Sequence, residues 1–195
     1  PTDPGDGGGG YVPIPAPRTI VSGDSLIVQP TMSGLAASAF IESMKLNEAI
    51  ANAVQSGSNE VTVDLSNVSA NAVELLLPVE PFAAADGNYQ VTVKTPFGMV
   101  SLPAAMFAGT DISPMAQITL RINMPDITGL PQDVRNAIGS RPVIGLEIVQ
   151  GGKVYPFSNL NAPVTVTLPY QPVGEESWNP EYITVWYIDG EGRAI

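Results

Sequence analysis

Three acidic pairs are the residues of this sequence best suited to chemistry: Glu74 with Glu80, Asp126 with Asp133, and Glu175 with Glu176. Two carboxylates can divide the acid and base roles at a glycosidic bond. None of the three pairs sits in a specific signature. Glu175-Glu176 lies in the loop Pro172-Val173-Gly174-Glu175-Glu176-Ser177-Trp178-Asn179-Pro180 and reads as a solvated turn. Asp3-Pro4-Gly5-Asp6-Gly7 and Asp189-Gly190-Glu191-Gly192 hold some ingredients of a calcium loop without EF-hand spacing, so calcium stays a minor alternative to no cofactor. The run Gly7-Gly8-Gly9-Gly10 is not followed by Gly-Lys-Ser/Thr, which rejects a phosphate loop. With 0 histidines and 0 cysteines, Ser-His-Asp and Cys-His nucleophile systems are excluded, as are disulfides and thiolate metal sites. No Ser-x-x-Lys occurs either. The reading is non-enzymatic.

The remaining chemistry-bearing residues are aromatic. Tyr155, Tyr170, Trp178, Tyr182, Trp186 and Tyr187 gather in the last third of the chain. Exposed rings stack on sugars, and Trp178 and Tyr182 are the candidate glycan contacts. Core and edge packing is the favoured expectation for the group: Trp186 and Tyr187 alternate within a predicted strand, so one of them should face the core.

Partners are bounded by charge. The net charge is −11, with eight scattered basic residues. Nucleic acid and anionic membrane surfaces are disfavoured because both need clustered Lys and Arg. No apolar run approaches the ~20 residues of a bilayer span, so membrane insertion is not expected. Charged residues make up 14% of the chain, below the roughly 25% of an average domain, while Gly and Pro number 19 each. Many turns and short elements follow.

The elements that must carry these residues are mostly strands. Thr19, Val21, Leu26 and Val28 form a strand pair broken by Ser22-Gly23-Asp24. An Ala-rich strand follows over 34–41. Residues 45–55 are the amphipathic helix: Leu46, Ala49, Ile50, Ala53 and Val54 make one apolar stripe, with Ser43 as N-cap and Gly57 as left-handed C-cap. Further strands are predicted over 60–65, 73–77, 117–123, 164–168 and 182–188. Hairpins are predicted across Pro96-Phe97-Gly98 and across Gly151-Gly152. Single helical turns follow at 81–86, 103–108 and 131–138, the last with Pro131 at its first position. Leu77-Pro78 and Leu102-Pro103 echo each other, each a strand, a proline and one helical turn. The expected fold is mainly β and β-sandwich-like, with one amphipathic helix and several single-turn helices.

Residues 1–17 form an extended Pro/Gly-rich head, and 18–195 a single β-rich domain, with division into two subdomains near 110 as an alternative. The chain starts without Met, which suggests a removed upstream segment. That start, the lack of Cys, the acidity and the Thr/Asn/Val-rich strands point to an exported, extracellular protein exposed at the cell surface.

Several strings carry a resemblance. They are Asn59-Glu60-Val61-Thr62-Val63-Asp64, Val91-Thr92-Val93-Lys94-Thr95-Pro96-Phe97-Gly98-Met99-Val100, Leu130-Pro131-Gln132-Asp133-Val134-Arg135-Asn136-Ala137-Ile138-Gly139, Pro163-Val164-Thr165-Val166-Thr167-Leu168-Pro169-Tyr170 and Ile183-Thr184-Val185-Trp186-Tyr187-Ile188-Asp189. Together, over 19–195, they resemble a module of bacterial cell-surface proteins that commonly accompanies S-layer homology domains. The resemblance implies a structural, non-catalytic module. It also implies a further extended segment and a closing strand beyond the point matching Gly192, which this chain does not carry; an edge left unpaired there invites a strand from another chain.

Together these readings predict a subunit of a surface filament or layer that assembles with copies of itself, its N-terminal segment packing on a neighbour by strand donation. Tyr11, Val12 and Ile14 are the expected apolar anchors, with Ile20 and Val21 on the first strand. Pro13, Pro15 and Pro17 lack N–H groups, so ladder pairing there is partial. The alternative is a carbohydrate- or cell-wall-binding module of a larger anchored protein, whose partner is a cell-wall polysaccharide.

Overall fold

Period-two alternation places one apolar row on each strand, and the fold is the burial of those rows against each other. The computed structural model describes residues 18–84, 88–110, 112–113, 116–155, 159–189 and 193. Among the described residues, twelve strands form two mixed sheets of six. The first sheet contains β1 (Arg18–Ser22), β2 (Ser25–Gln29), β5 (Glu60–Asp64), β7 (Gln90–Thr95), β8 (Gly98–Pro103) and β12 (Thr165–Thr167), in that spatial order. The second runs β11 (Lys153–Tyr155), β10 (Gly145–Gln150), β9 (Gln117–Asn123), β6 (Ala72–Pro78), β4 (Ala36–Phe40) and β3 (Thr31–Ser33). The chain is mainly β and sandwich-like, as its sequence predicts.

The inward rows of both sheets join one apolar core. Leu26, Val61, Val63, Val91, Val93, Val100 and Leu102 come from the first sheet; Ala37, Leu75, Leu77, Ile118, Leu120 and Ile148 come from the second. Burying one such Leu or Ile side chain contributes about 1.5–3 kcal/mol. β6 pairs with β9, and β8 with β12, so strand pairing crosses position 110.

Three neighbouring pairs are parallel: β2 with β5, β5 with β7, and β4 with β6. Parallel neighbours cannot be joined by a tight hairpin. Here the chain makes the return journey through the other sheet: β6 lies between β5 and β7 in sequence, and helix α1 (Ser43–Ser56) with β5 lies between β4 and β6.

α1 packs on β1, β2 and β5, burying Leu46, Ala49 and Ala53. Asn52 Nδ2 donates to the Gly23 carbonyl at 2.8 Å, tying the helix to the β1–β2 turn. Gly57 ends the helix at φ 75°, and Ser58 N–H reaches the Ala53 carbonyl at 2.8 Å. The helix departs from its sequence reading at both ends. Glu42 is the N-cap position and Ser43 already lies inside the helix, so Ser43 caps nothing. Val54, expected on the buried stripe, is 68% exposed: at about 100° per residue it lies off the face that Leu46, Ala49 and Ala53 bury.

Two single-turn segments, α2 (Glu80–Ala84) and a 3-10 turn (Ala104–Phe107), follow the two proline-ended strands β6 and β8. The echo in sequence is a contact in space: Phe82 and Phe107 meet edge to face, 5.3 Å between centroids. Helix α3 (Gln132–Ile138) follows Pro131, which occupies the N-cap position rather than the first turn. β3 is an element the sequence reading missed, and Gly34 (φ 59°) turns β3 into β4 instead of starting a strand.

The predicted strand over 182–188 is absent. Pro180–Tyr182 is a 3-10 turn, residues 183–187 belong to neither sheet, and Ile188 makes an isolated bridge. Pro169, Pro172 and Pro180 precede this run, and their missing N–H groups interrupt any ladder leading into it.

Candidate functional site

The sheet edges are where this fold offers unpaired backbone. A terminal strand has one hydrogen-bonded neighbour and presents its other N–H and C=O row outward. Among the described residues four strands hold such positions: β1 and β12 in the first sheet, β3 and β11 in the second. β12, β3 and β11 are three residues long, and β1 is five. Lys153 stands on β11 with its Nζ 5.1 Å above the Tyr155 ring, a charge of the kind that blunts edges. β1 carries Arg18 at its start and no other charge.

Of the residues predicted for an assembly interface, Ile20 and Val21 lie on β1. Ile20 is 46% exposed, directly opposite Ile27, which is 52% exposed; the two form an apolar cross-strand pair on the outer face of the sheet. Val21 is partly buried against the core. Thr19 Oγ1 donates to the Phe40 carbonyl at 3.2 Å, holding β1 to the end of β4. Tyr11, Val12 and Ile14 lie outside the described residues.

The second surface is the C-terminal aromatic segment. The expectation of core and edge packing fails for Trp178, 84% exposed, Trp186, 50%, and Tyr187, 69%, whereas Tyr155 on β11 does pack against the core. Val185, next to Trp186 and so on the opposite face, is 85% exposed, and both faces of the run meet solvent. Without a sheet beneath it, alternation has nothing to bury against. Trp178 and Tyr182, the candidate glycan contacts, stand on two successive 3-10 turns, Gly174–Ser177 with Trp178 at its end and Pro180–Tyr182. The Tyr182 side chain lies outside the described structure.

Glu176 anchors this segment and is not the solvated turn residue its sequence suggests. Its side chain is largely covered. One carboxylate oxygen takes Arg141 Nη2 at 2.5 Å, and the other accepts the Tyr170 hydroxyl. Arg141 in turn donates to the Ala137 carbonyl at the end of α3, at 3.0 Å. Hydrogen bonds from Tyr170 and Arg141 hold the Glu176 carboxyl below its ordinary range. The same contact with Glu176 raises the Tyr170 phenol and the Arg141 guanidinium.

Of the other acidic pairs, Glu74 and Asp126 bind basic or backbone partners. Glu74 faces Arg121 at 3.0 Å, and Arg121 lies 3.8 Å from Glu147, an ion triad across β6, β9 and β10 rather than a pair with Glu80. Asp126 accepts the Thr128 N–H at 2.9 Å in a local turn, which lowers its pKa. Asp189 binds the Arg193 guanidinium at 2.7 Å. A shallow depression of about 500 Å³ lies at the starts of β5 and β7 and the end of β8, lined by Ser58, Asn59, Glu60, Asn88, Gln90 and Pro103 among others. Glu60 is the one carboxylate among the described lining residues. The Tyr89 hydroxyl, buried without a hydrogen-bond partner, is raised well above its ordinary pKa by desolvation.

No family model, curated protein or solved structure matches this chain.

Proposed function

We propose that this chain is a non-enzymatic structural protein of the cell exterior, a subunit of a surface filament or layer assembled by strand donation. Its N-terminal segment packs on a neighbouring copy, in keeping with the resemblance to modules that accompany S-layer homology domains. One observation carries the proposal. The head is continuous in sequence with β1, and β1 is the longest of the four edge strands. A Pro/Gly segment joined to an open edge is placed to extend pairing onto another chain. Such head-to-tail contacts do not close and so propagate. Deleting residues 1–17 leaves a folded monomer that no longer assembles; filaments of unchanged length by electron microscopy after the deletion would refute the proposal.

The exposure of Trp178 supports a second reading, a carbohydrate- or cell-wall-binding module. A bare indole stacks on sugar rings. This reading expects saturable binding to cell-wall polysaccharide that is lost in Trp178→Ala, with the fold unchanged.

A further inference from the structure

We infer that the run 183–188 of one copy adds as a strand to the β1 edge of a second copy. This rests on the assembly reading and names the surface that the neighbour uses. The run is Ile-Thr-Val-Trp-Tyr-Ile, six β-forming residues without a charge or a proline. Val185, Trp186 and Tyr187 are all at least half exposed, and 183–187 belong to neither sheet. Exposed apolar side chains on both faces of a segment outside any ladder, as at 184–187, are the chemistry of a strand that lacks a sheet.

The receiving edge is chosen by length and charge. β3, β11 and β12 each offer three residues, and β11 is guarded by Lys153. β1 offers five, with Ile20 exposed beside Ile27 to meet an apolar side chain. Its single charge is Arg18, and the run is flanked by Glu181 and Asp189. A parallel addition brings Glu181 towards Arg18, and an antiparallel one brings Asp189, so either direction is favourable. A pairing of five residues falls well short of the about 1,200 Å² that a stable interface buries. Ile20 and Ile27 on the receiving sheet, and Trp186 and Tyr187 on the run, add exposed apolar surface beside that pairing. β1 and the run lie on different parts of one chain, so the contact is head to tail and repeats without closing.

The natural chain has no cysteine, so engineered thiols report one contact at a time. Ile20→Cys chains carrying a long tag are mixed with untagged Val185→Cys chains, and separately with untagged Trp186→Cys chains, then oxidised and run on non-reducing gels. Successive residues of a strand face opposite sides, so one of the two mixtures should give on the order of tenfold more cross-linked heterodimer than the other. Ser22→Cys, on the same face of β1, replaces Ile20→Cys if that variant folds poorly. No heterodimer, or equal yields from both mixtures, overturns the inference. Filaments that persist by electron microscopy without the cross-link overturn this contact and leave assembly standing; loss of filaments on deletion of 1–17 tests assembly separately.

Discussion

β7 and the run 183–188 are both rich in β-forming residues, sharing Val and Thr, and end in opposite states. In β7, Val91 and Val93 are fully buried between β5 and β8. In the run, Val185 and Tyr187 occupy the equivalent alternating positions and are 85% and 69% exposed. β7 reaches β8 across a two-residue turn, with Thr95 opposite Gly98 and the Thr95 hydroxyl donating to the Gly98 carbonyl at 2.9 Å. The run is preceded by three prolines and two 3-10 turns, with Glu176 fastening the approach to α3. Alternation makes a segment able to pair; a neighbour delivered at the right distance makes it a strand.

The contrast breaks first in the core. Leu120→Ala, at a fully buried position of β9, should cost about 3 kcal/mol. A urea titration followed by far-ultraviolet circular dichroism measures this. Tryptophan emission should already be red-shifted in the folded protein, because Trp178 and Trp186, the two tryptophans, are both exposed.

A smaller effect is expected where β12 joins the first sheet. At Gly98, φ is +145°, and an added Cβ would stand 2.3 Å from the Thr167 carbonyl oxygen. Gly98→Ala should therefore cost on the order of 2 kcal/mol and raise the hydrogen exchange of β12 above that of β7. Equal protection of the two strands in the variant would show that β12 is held by more than this contact.

The tail should loosen without unfolding the core when Glu176 is changed. Its carboxyl is held below the ordinary value of 4.5, so its contribution is present above that pH. The contribution is lost as pH falls through the lower folded-state value. Proteolytic cleavage within 169–182 should rise in acid for the natural chain, whereas Glu176→Gln should be cut at neutral pH with little further change on acidification. The smallest effect belongs to the run itself: Val185→Thr should leave monomer stability within about 0.5 kcal/mol, measured by the same urea titration. A larger loss would mean the run already packs within its own subunit.

Local signals in the sequence were legible where they act locally. Gly151 and Gly152 adopt φ 54° and 82° and close the β10–β11 hairpin; Gly57 caps α1; Gly23 turns β1 into β2. The rows Val61-Val63-Leu65 and Ile118-Leu120-Ile122 face the core as their alternation requires. β3 escaped notice because Thr-Met-Ser has little strand signal and is held by pairing with β4. Of the candidate site, Ile20 and Trp178 were found from residue type, but their exposure was not. The link from Arg141 to Glu176 spans 35 positions and left no trace in spacing.

Short strands with turns between them, one amphipathic helix and the lack of histidine and cysteine chemistry are all written in the residues of this chain. Those properties follow from residue type and near-neighbour geometry. Which strands are parallel, which edges stay open and which of two β-forming runs is covered are set by contacts across the fold. Each of those outcomes depends on partners tens of residues away, and residue type sets the capacity to pair without specifying the partner.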